Sequence, residues 1–498
     1  MRTMTALLLS LAVATAAEAA EKLVAAHFMH QMSVGVDTNP RDSILGIEPG
    51  RNNGIKALHT PDYLQYYAMP DAAAEHDVKM MRAGGIDAIG MLLCNGHLKS
   101  QFRPVIRAYY RAAAENGLKI FPDSWGNVNV PEGLNEIYAE LLRDFPAAWL
   151  KRDGRLVVAL MLPAQPPSYR ETVEKLFAGI GGRKNVFLVL YDPARLREKS
   201  RDWFENADGF TAWLTMSYGE SLRDLERFYE VAKASGREIW APVIPSFMQS
   251  RYPHEGGKFI PNLREKLGVT WFRHAWQQAI ANNSPAVMLA TWNDITEDSS
   301  IMPESNHGDS VYELNRIFAA LYKTGKLPEV TEEEVFLFHH PQLVEGVKLP
   351  AGVTPTEGFP LSHGKNFGSK VYHRTPPTDY LQVASFLREP ATVSLYLGTQ
   401  LLARYEAKPG LQFHLFYQPR NGNDPAGRYS CNEADVYPRS EGNLTVTQLK
   451  QPLRDAEIYL KVERNGRRLG FFRSHKPVNG FAGRGDMTMT GDLFKLKK

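Results

Sequence analysis

The 498-residue sequence predicts an α/β protein: a (β/α)8 barrel of the TIM type followed by a C-terminal β-sandwich domain. Three observations carry that prediction. Eight short apolar runs alternate with amphipathic stretches between residues 21 and 330, the pattern of repeated βα units. Those runs are apolar nearly throughout, as strands covered on both faces require. After Gly325 the texture changes to shorter alternating runs, with Pro341, Pro350, Pro355 and Pro360 marking irregular chain; this is how a β-rich module reads.

Taken in order, residues 1–20 read as an export signal. Arg2 gives a positive start, 6–16 is a short apolar run, and Ala17-Glu18-Ala19 supplies small residues around a cleavage point. The run is too short to span a bilayer as a helix, so a soluble, secreted or periplasmic chain is expected. Strands are expected at 23–30, 86–94, 119–123, 156–162, 186–192, 209–216, 239–245 and 286–292. Helices are expected at 72–83, 102–116, 132–145, 169–177, 222–234, 270–281 and 311–323. The turns Asn116-Gly117, Asp153-Gly154, Gly181-Gly182 and Ser235-Gly236 announce strand starts. Eight such units suit a closed parallel barrel better than an open sheet. No Gly-x-Gly-x-x-Gly follows the first strand, which removes the main reason to prefer a dinucleotide-binding fold. The long segment 39–69 reads as an insertion shaping a cleft. Within 331–498, strands are expected at 380–387, 392–397, 412–417, 444–448 and 457–463. This domain could bind polysaccharide or only brace the barrel; bracing is the reading adopted, since fold alone shows no role.

Composition narrows the function. The 43% hydrophobic and 23% charged residues are ordinary for a soluble globular chain and exclude disorder. The net charge of +3 is small, and the only basic run is the short end at 495–498. Nucleic acid and acidic membranes are therefore poor partners. Cys94 and Cys431 are too few for a disulfide framework and make no zinc pattern. Cys94 ends an apolar run and is expected to be a buried thiol.

A (β/α)8 barrel carries its active site at the C-terminal ends of its strands. His27 and His30 close strand one, Asn95 and His97 follow strand two, and Asp123-Ser124-Trp125 follow strand three. Tyr191-Asp192 end strand five, Trp213 and Ser217-Tyr218 lie around strand six, and Trp292-Asn293-Asp294 with Glu297 end strand eight. Carboxylates and amides bond sugar hydroxyls, and aromatic faces cover the apolar faces of the ring. Cutting a glycosidic bond takes two carboxyl groups, one to protonate the leaving oxygen and one to act at the anomeric carbon or on water. Asp294 and Glu297, three apart at strand eight, are the predicted catalytic pair. The competing reading is a helix cap with a first-turn acid; the position on the barrel favours catalysis. Asp123, His27, Asn95, Trp125, Tyr191, Trp213, Trp292 and Asn293 are the predicted substrate-binding residues. Asp87, six residues or roughly 20 Å from the catalytic end of strand two, reads as structural. No metal or cofactor is expected, because no His-x-Glu-x-x-His or similar pattern occurs. His307-Gly308-Asp309-Ser310 reads as the capped start of the last helix.

Four segments also carry a resemblance: VAAHFMH (24–30), GIDAIGMLL (85–93), KIFPDSW (119–125) and LATWNDITEDS (289–299). In this order they resemble glycoside hydrolase family 71, the endo-α-1,3-glucanases or mutanases, whose strand-eight motif is Thr-Trp-Asn-Asp-Tyr-Gly-Glu-Ser. The resemblance implies an inverting glycosidase on α-1,3-glucan, with the carboxylate pair on Asp294 and Glu297 and the strand-three acid on Asp123. Inversion sets the two carboxyls roughly 6.5–9.5 Å apart, with Glu297 as acid and Asp294 as base. Ile295-Thr296 replaces the family's Tyr-Gly, Pro122 stands where the family more often has Phe, and 39–69 has no counterpart. These departures bear on substrate choice more than on reaction class. The nearest rival resembles the endo-mannosidases of family 99, acting on α-mannan. From another class, a non-catalytic carbohydrate-binding envelope protein would keep the barrel without turnover.

Overall fold

Eight parallel strands close into a ring in the computed structural model. It describes residues 22–29, 59, 69–99, 102–125, 129–214, 218–249, 253–254, 258–259, 262–263, 266–341, 343, 379–418, 438–450, 453–478 and 489–497. The expected export signal, His30, nearly all of 39–69, Ser217 and Cys431 lie outside the described residues.

The ring is built from β1 (Leu23–Phe28), β2 (Ala88–Leu93), β3 (Lys119–Trp125), β4 (Arg155–Met161), β5 (Val186–Tyr191), β6 (Gly209–Thr211), β7 (Glu238–Val243) and β8 (Ala286–Leu289). Each strand pairs in parallel with the next, and β8 returns to β1 through Leu23 opposite Ala286. The predicted fold class is therefore what forms, and all eight expected strands are present. Several end earlier than expected, β6 at Thr211 and β8 at Leu289. Trp213 after β6 and the chain from Thr291 after β8 lie outside the ladder.

Inside the ring, Phe121, Phe187 and Trp240 fill space left by Ala25, Ala88, Ala159 and Ala286. Phe121 and Trp240 meet edge to face at 5.6 Å, a favoured aromatic geometry. Gly90 makes this packing possible: a Cβ there would lie 3.0 Å from the Phe121 ring and 3.2 Å from Cβ of Asp123. At the opposite end of the strands Asp87 accepts from the Val24 amide at 2.9 Å and from Lys323 Nζ at 2.6 Å. That is the structural role expected for it, although its side chain is partly exposed.

Nine α-helices among the described residues accompany the strands: α1 (Pro70–Ala83), α2 (Arg103–Asn116), α3 (Pro131–Asp144), α4 (Tyr169–Leu176), α5 (Pro193–Lys199), α6 (Arg201–Glu205), α7 (Tyr218–Ser235), α8 (Thr270–Ala281) and α9 (Ser310–Thr324). Proline opens α1, α2, α3 and α5, where its missing N–H is no loss. The short polar α5 and α6 are the two helices without a sequence expectation. No helix among the described residues is long and apolar enough to cross a membrane.

The C-terminal region forms two facing sheets from β9 (Glu334–His339), β10 (Asp379–Leu387), β11 (Ala391–Leu397), β12 (Gln400–Ala407), β13 (Gly410–Gln418), β14 (Leu444–Gln448), β15 (Ile458–Arg464), β16 (Arg467–Arg473) and β17 (Thr490–Lys495). One sheet has the order β14-β13-β10-β9-β17 and the other β12-β11-β15-β16. Val335, Leu337, Leu381 and Val383 of the first pack against Val393, Leu395, Leu460 and Val462 of the second. The first sheet also uses its other face. Phe336, Phe338, Phe413 and Leu415 join the core shared with the barrel helices, and Phe413 stacks on Phe318 of α9 at 6.1 Å. Arg273 of α8 donates to Asn443 Oδ1 at 2.6 Å and to the Glu441 carbonyl at 2.9 Å.

Candidate active site

Five predicted residues converge at the C-terminal mouth of the ring. Alternation along β1, β3 and β5 turns His27, Asp123 and Tyr191 inward. Asp123 is 0% exposed. Its carboxylate accepts from the Tyr191 hydroxyl at 3.1 and 3.0 Å and from Trp125 Nε1 at 3.2 Å, and it pairs with His27 Nδ1. Tyr191 also lies 2.9 Å from His27 Nε2. A buried carboxylate is tolerated when donors surround it, and here there are three. Burial, then the neighbouring Asp123 charge, push the Tyr191 hydroxyl well above its ordinary range, so it stays a proton donor. Trp213 closes the group edge to face, 4.8 Å from His27 and 4.9 Å from Trp125. Trp125 and Trp213 are half-buried, which leaves aromatic surface at the mouth.

The chain leaving β8 is knotted beside this cluster. The Trp292 amide donates to the His27 carbonyl at 2.8 Å. Asn293 is spent on the end of β1: its Oδ1 accepts from the Met29 amide at 2.9 Å and its Nδ2 donates to the Met29 carbonyl at 3.0 Å. Asp294 opens a single 3-10 turn, Ile295–Glu297, and its Oδ1 accepts from the Glu297 amide at 3.2 Å. Its own amide donates to Thr291 Oγ1 at 2.7 Å. The cap reading is therefore realised in Asp294, without displacing it from the rim. Glu297 is half-buried while Asp294 is buried, so Glu297 presents the more open carboxylate.

Two predicted residues stand elsewhere. Trp292 is fully buried and packs on Tyr312 of α9 at 6.3 Å; it joins Val287 and Leu289 in the layer between strands and helices, not the cleft. Asn95 is exposed, with its amide against Gly133 near the start of α3, where a Cβ would collide with it. Cys94, expected to be buried, is half-buried, and its amide donates to His97 Nδ1 at 3.0 Å. Near the mouth, Asp192, Arg195, Asp224, Arg227 and Trp213 line a cavity of about 320 Å³ between α5 and α7.

Sequence reasoning passes over a second polar group behind the rim. Asp298 Oδ2 accepts from Ser246 Oγ at 2.8 Å and from the Met489 amide at 3.0 Å. Glu304 and His307, both 2% exposed, form an ion pair at 3.0 Å. Burial opposes charge on each, but their mutual attraction together with nearby backbone hydrogen bonds outweighs it, raising the His307 pKa and lowering that of Glu304. His307 thus anchors the loop as well as preceding α9. Asp309, just before α9, makes no side-chain cap bond and pairs with His59 at 2.6 Å. The i, i+3 spacing of Glu304 and His307 was the available signal.

No family profile matches the chain, and no curated protein does. Solved structures similar to it include a GH99 endo-alpha-mannosidase from Bacteroides thetaiotaomicron, at 12% identity and a TM-score of 0.44 over 60% of this chain and 97% of that one. A GH113 beta-1,4-mannanase aligns at 10% identity and a TM-score of 0.35, covering 51% and 94%. The GH113 beta-mannanase AaManA from Alicyclobacillus acidocaldarius aligns at 13% and 0.34, covering 51% and 93%. At these values no activity passes from those proteins to this chain; its own closed parallel ring defines its architecture.

Proposed function

We propose that this chain is a secreted glycoside hydrolase that cleaves α-1,3-glucan by inversion. Glu297 acts as the acid on the leaving oxygen, and Asp294 acts as the base that activates water. The observation that carries the reading is the rim turn after β8: it holds two carboxylates three residues apart, tied directly to the strand bearing His27. Beside it Trp125 and Trp213, half-buried at the mouth, offer ring faces for a pyranose, and the buried His27–Asp123–Tyr191 network holds Trp125 in place. The likeness of four barrel segments to family 71 supports the choice of linkage. Asp123 and Tyr191, both buried, brace the floor of the mouth, and His27 joins them to the rim through its carbonyl, which accepts from the Trp292 amide.

The test is product release from a panel of insoluble polysaccharides: α-1,3-glucan beside α-1,4-glucan, β-1,3-glucan and α-mannan. Oligosaccharides from α-1,3-glucan alone, with inverted anomers seen by NMR, are expected. Activity only on another polymer would discard the linkage and keep the carboxylates. Binding without turnover across the panel would overturn the enzyme reading in favour of a carbohydrate-binding protein.

A further inference from the structure

We propose that Asp298 is a positioning residue through which the C-terminal sandwich sets the carboxylate of Glu297. The inference rests on the glycosidase reading and deepens it, giving the sandwich a part in the reaction. Asp298 directly follows Glu297, is 5% exposed and closes the rim turn with φ 55. Asp reaches that left-handed region more readily than most residues because its short side chain can bond locally. Here the bonds are long-range: one carboxylate oxygen receives Ser246 Oγ, from the chain after β7, and the Met489 amide, from the chain entering β17.

The sandwich also holds the rest of the loop. The Gly491 amide donates to the Asn306 carbonyl at 3.0 Å, and Lys476 Nζ donates to Asn306 Oδ1 at 2.7 Å. A Cβ at Gly491 would lie 2.4 Å from Ser310 Oγ and 2.9 Å from His307 Cβ, so backbone meets loop with no room between. At its other end the turn is fixed to β1 through Asn293. Glu297 is thus suspended between a barrel anchor and a sandwich anchor, and Asp298 is the nearer of the two in sequence. A general acid must stand within hydrogen-bond reach of the leaving oxygen, and a misplacement of about 1 Å can cost on the order of 10²-fold in rate.

The experiment compares Asp298→Ala with Asp298→Asn in the full chain, reading kcat and KM on α-1,3-gluco-oligosaccharides and hydrogen exchange over 291–302 and 489–495. Alanine removes the acceptor. It is expected to lower kcat by about 10- to 100-fold with KM nearly unchanged, and to speed exchange in both segments. The asparagine amide oxygen can accept the same two bonds, so Asp298→Asn is expected to restore kcat. Ser246→Ala, which removes one donor only, is expected to fall between and guards against a misfolded alanine variant. Normal kcat and normal exchange in Asp298→Ala would overturn the proposal, as would an asparagine variant as impaired as alanine. If the wild type cuts no glycan, the exchange measurement decides alone: faster exchange keeps the anchor while the sugar reading falls, and unchanged exchange removes the anchor.

Discussion

Replacing Asp294 by asparagine separates its two roles. As a cap, Asp294 lends Oδ1 to the Glu297 amide at 3.2 Å. Asparagine caps as well as aspartate does, whereas alanine costs about 1 kcal/mol. As a base, Asp294 must take a proton from water, which the amide cannot do. Losing an acid–base residue costs on the order of 10²–10⁴-fold, or about 3–5 kcal/mol of activation free energy at 1.36 kcal/mol per factor of ten. The catalytic term exceeds the cap term several-fold, so the two are easily told apart. Asp294→Asn should therefore unfold in urea within a few tenths of a kcal/mol of the wild type while kcat on α-1,3-glucan falls by at least about two orders of magnitude. Asp294→Ala should show the same loss of rate and an added loss of stability. An asparagine variant with near-normal turnover would refute the reasoning: Asp294 would then be a cap and nothing more.

Glu297→Gln should lose a similar 10²–10⁴-fold in kcat while an aryl glycoside with a good leaving group is cut with much less loss; equal losses on both substrates would remove Glu297 from the acid role. Asp123→Asn leaves one acceptor oxygen where two now serve Tyr191, Trp125 and His27, so a buried donor must face an N–H. A destabilisation of about 1–3 kcal/mol is expected in urea unfolding, and an unchanged midpoint would mean the network relaxes. The Glu304–His307 pair predicts a pH dependence. His307 has a raised folded pKa, so its contribution is full below the ordinary 6.5 and is lost as pH rises through the folded value. Glu304 is lowered, so its contribution is present above the ordinary 4.5 and lost as pH falls through its folded value. The stability gap between wild type and His307→Asn should accordingly shrink as pH rises from about 6 to 9; a gap independent of pH would contradict the assigned directions.

The barrel is legible in the sequence because its strands are covered on both faces and read as continuous apolar runs, VAAHF and VFLVLY among them. The β9 segment EVFLFH is buried just as fully, but it follows an acidic run and stands alone, so nothing local marks it as a strand. Strands β12 and β16 are partly exposed, and the arginines of β16 further hide its alternation. At the mouth, His27, Asp123, Tyr191, Trp125 and Trp213 can be found from their places at strand ends. Trp292 and Asn293 have equally good places, yet the chain turns sharply after Leu289 and sends one to the helix layer and the other to Met29. Asp298 could not be found locally, because its partners are 52 and 191 residues away.

Strand β9 has no solvent face: alternate residues belong to two different cores. A chain cut near residue 330 would therefore lose the cover over Phe318 and α9, and the freed sandwich would expose Phe336, Phe338 and Phe413. Calorimetry should show a single endotherm for the whole protein, because the barrel helices and the second face of the first sheet share one core. The sandwich is poorly suited to being shuffled between genes as an interchangeable cassette, and swapping it for a foreign module would require redesigning the outer surface of the barrel as well.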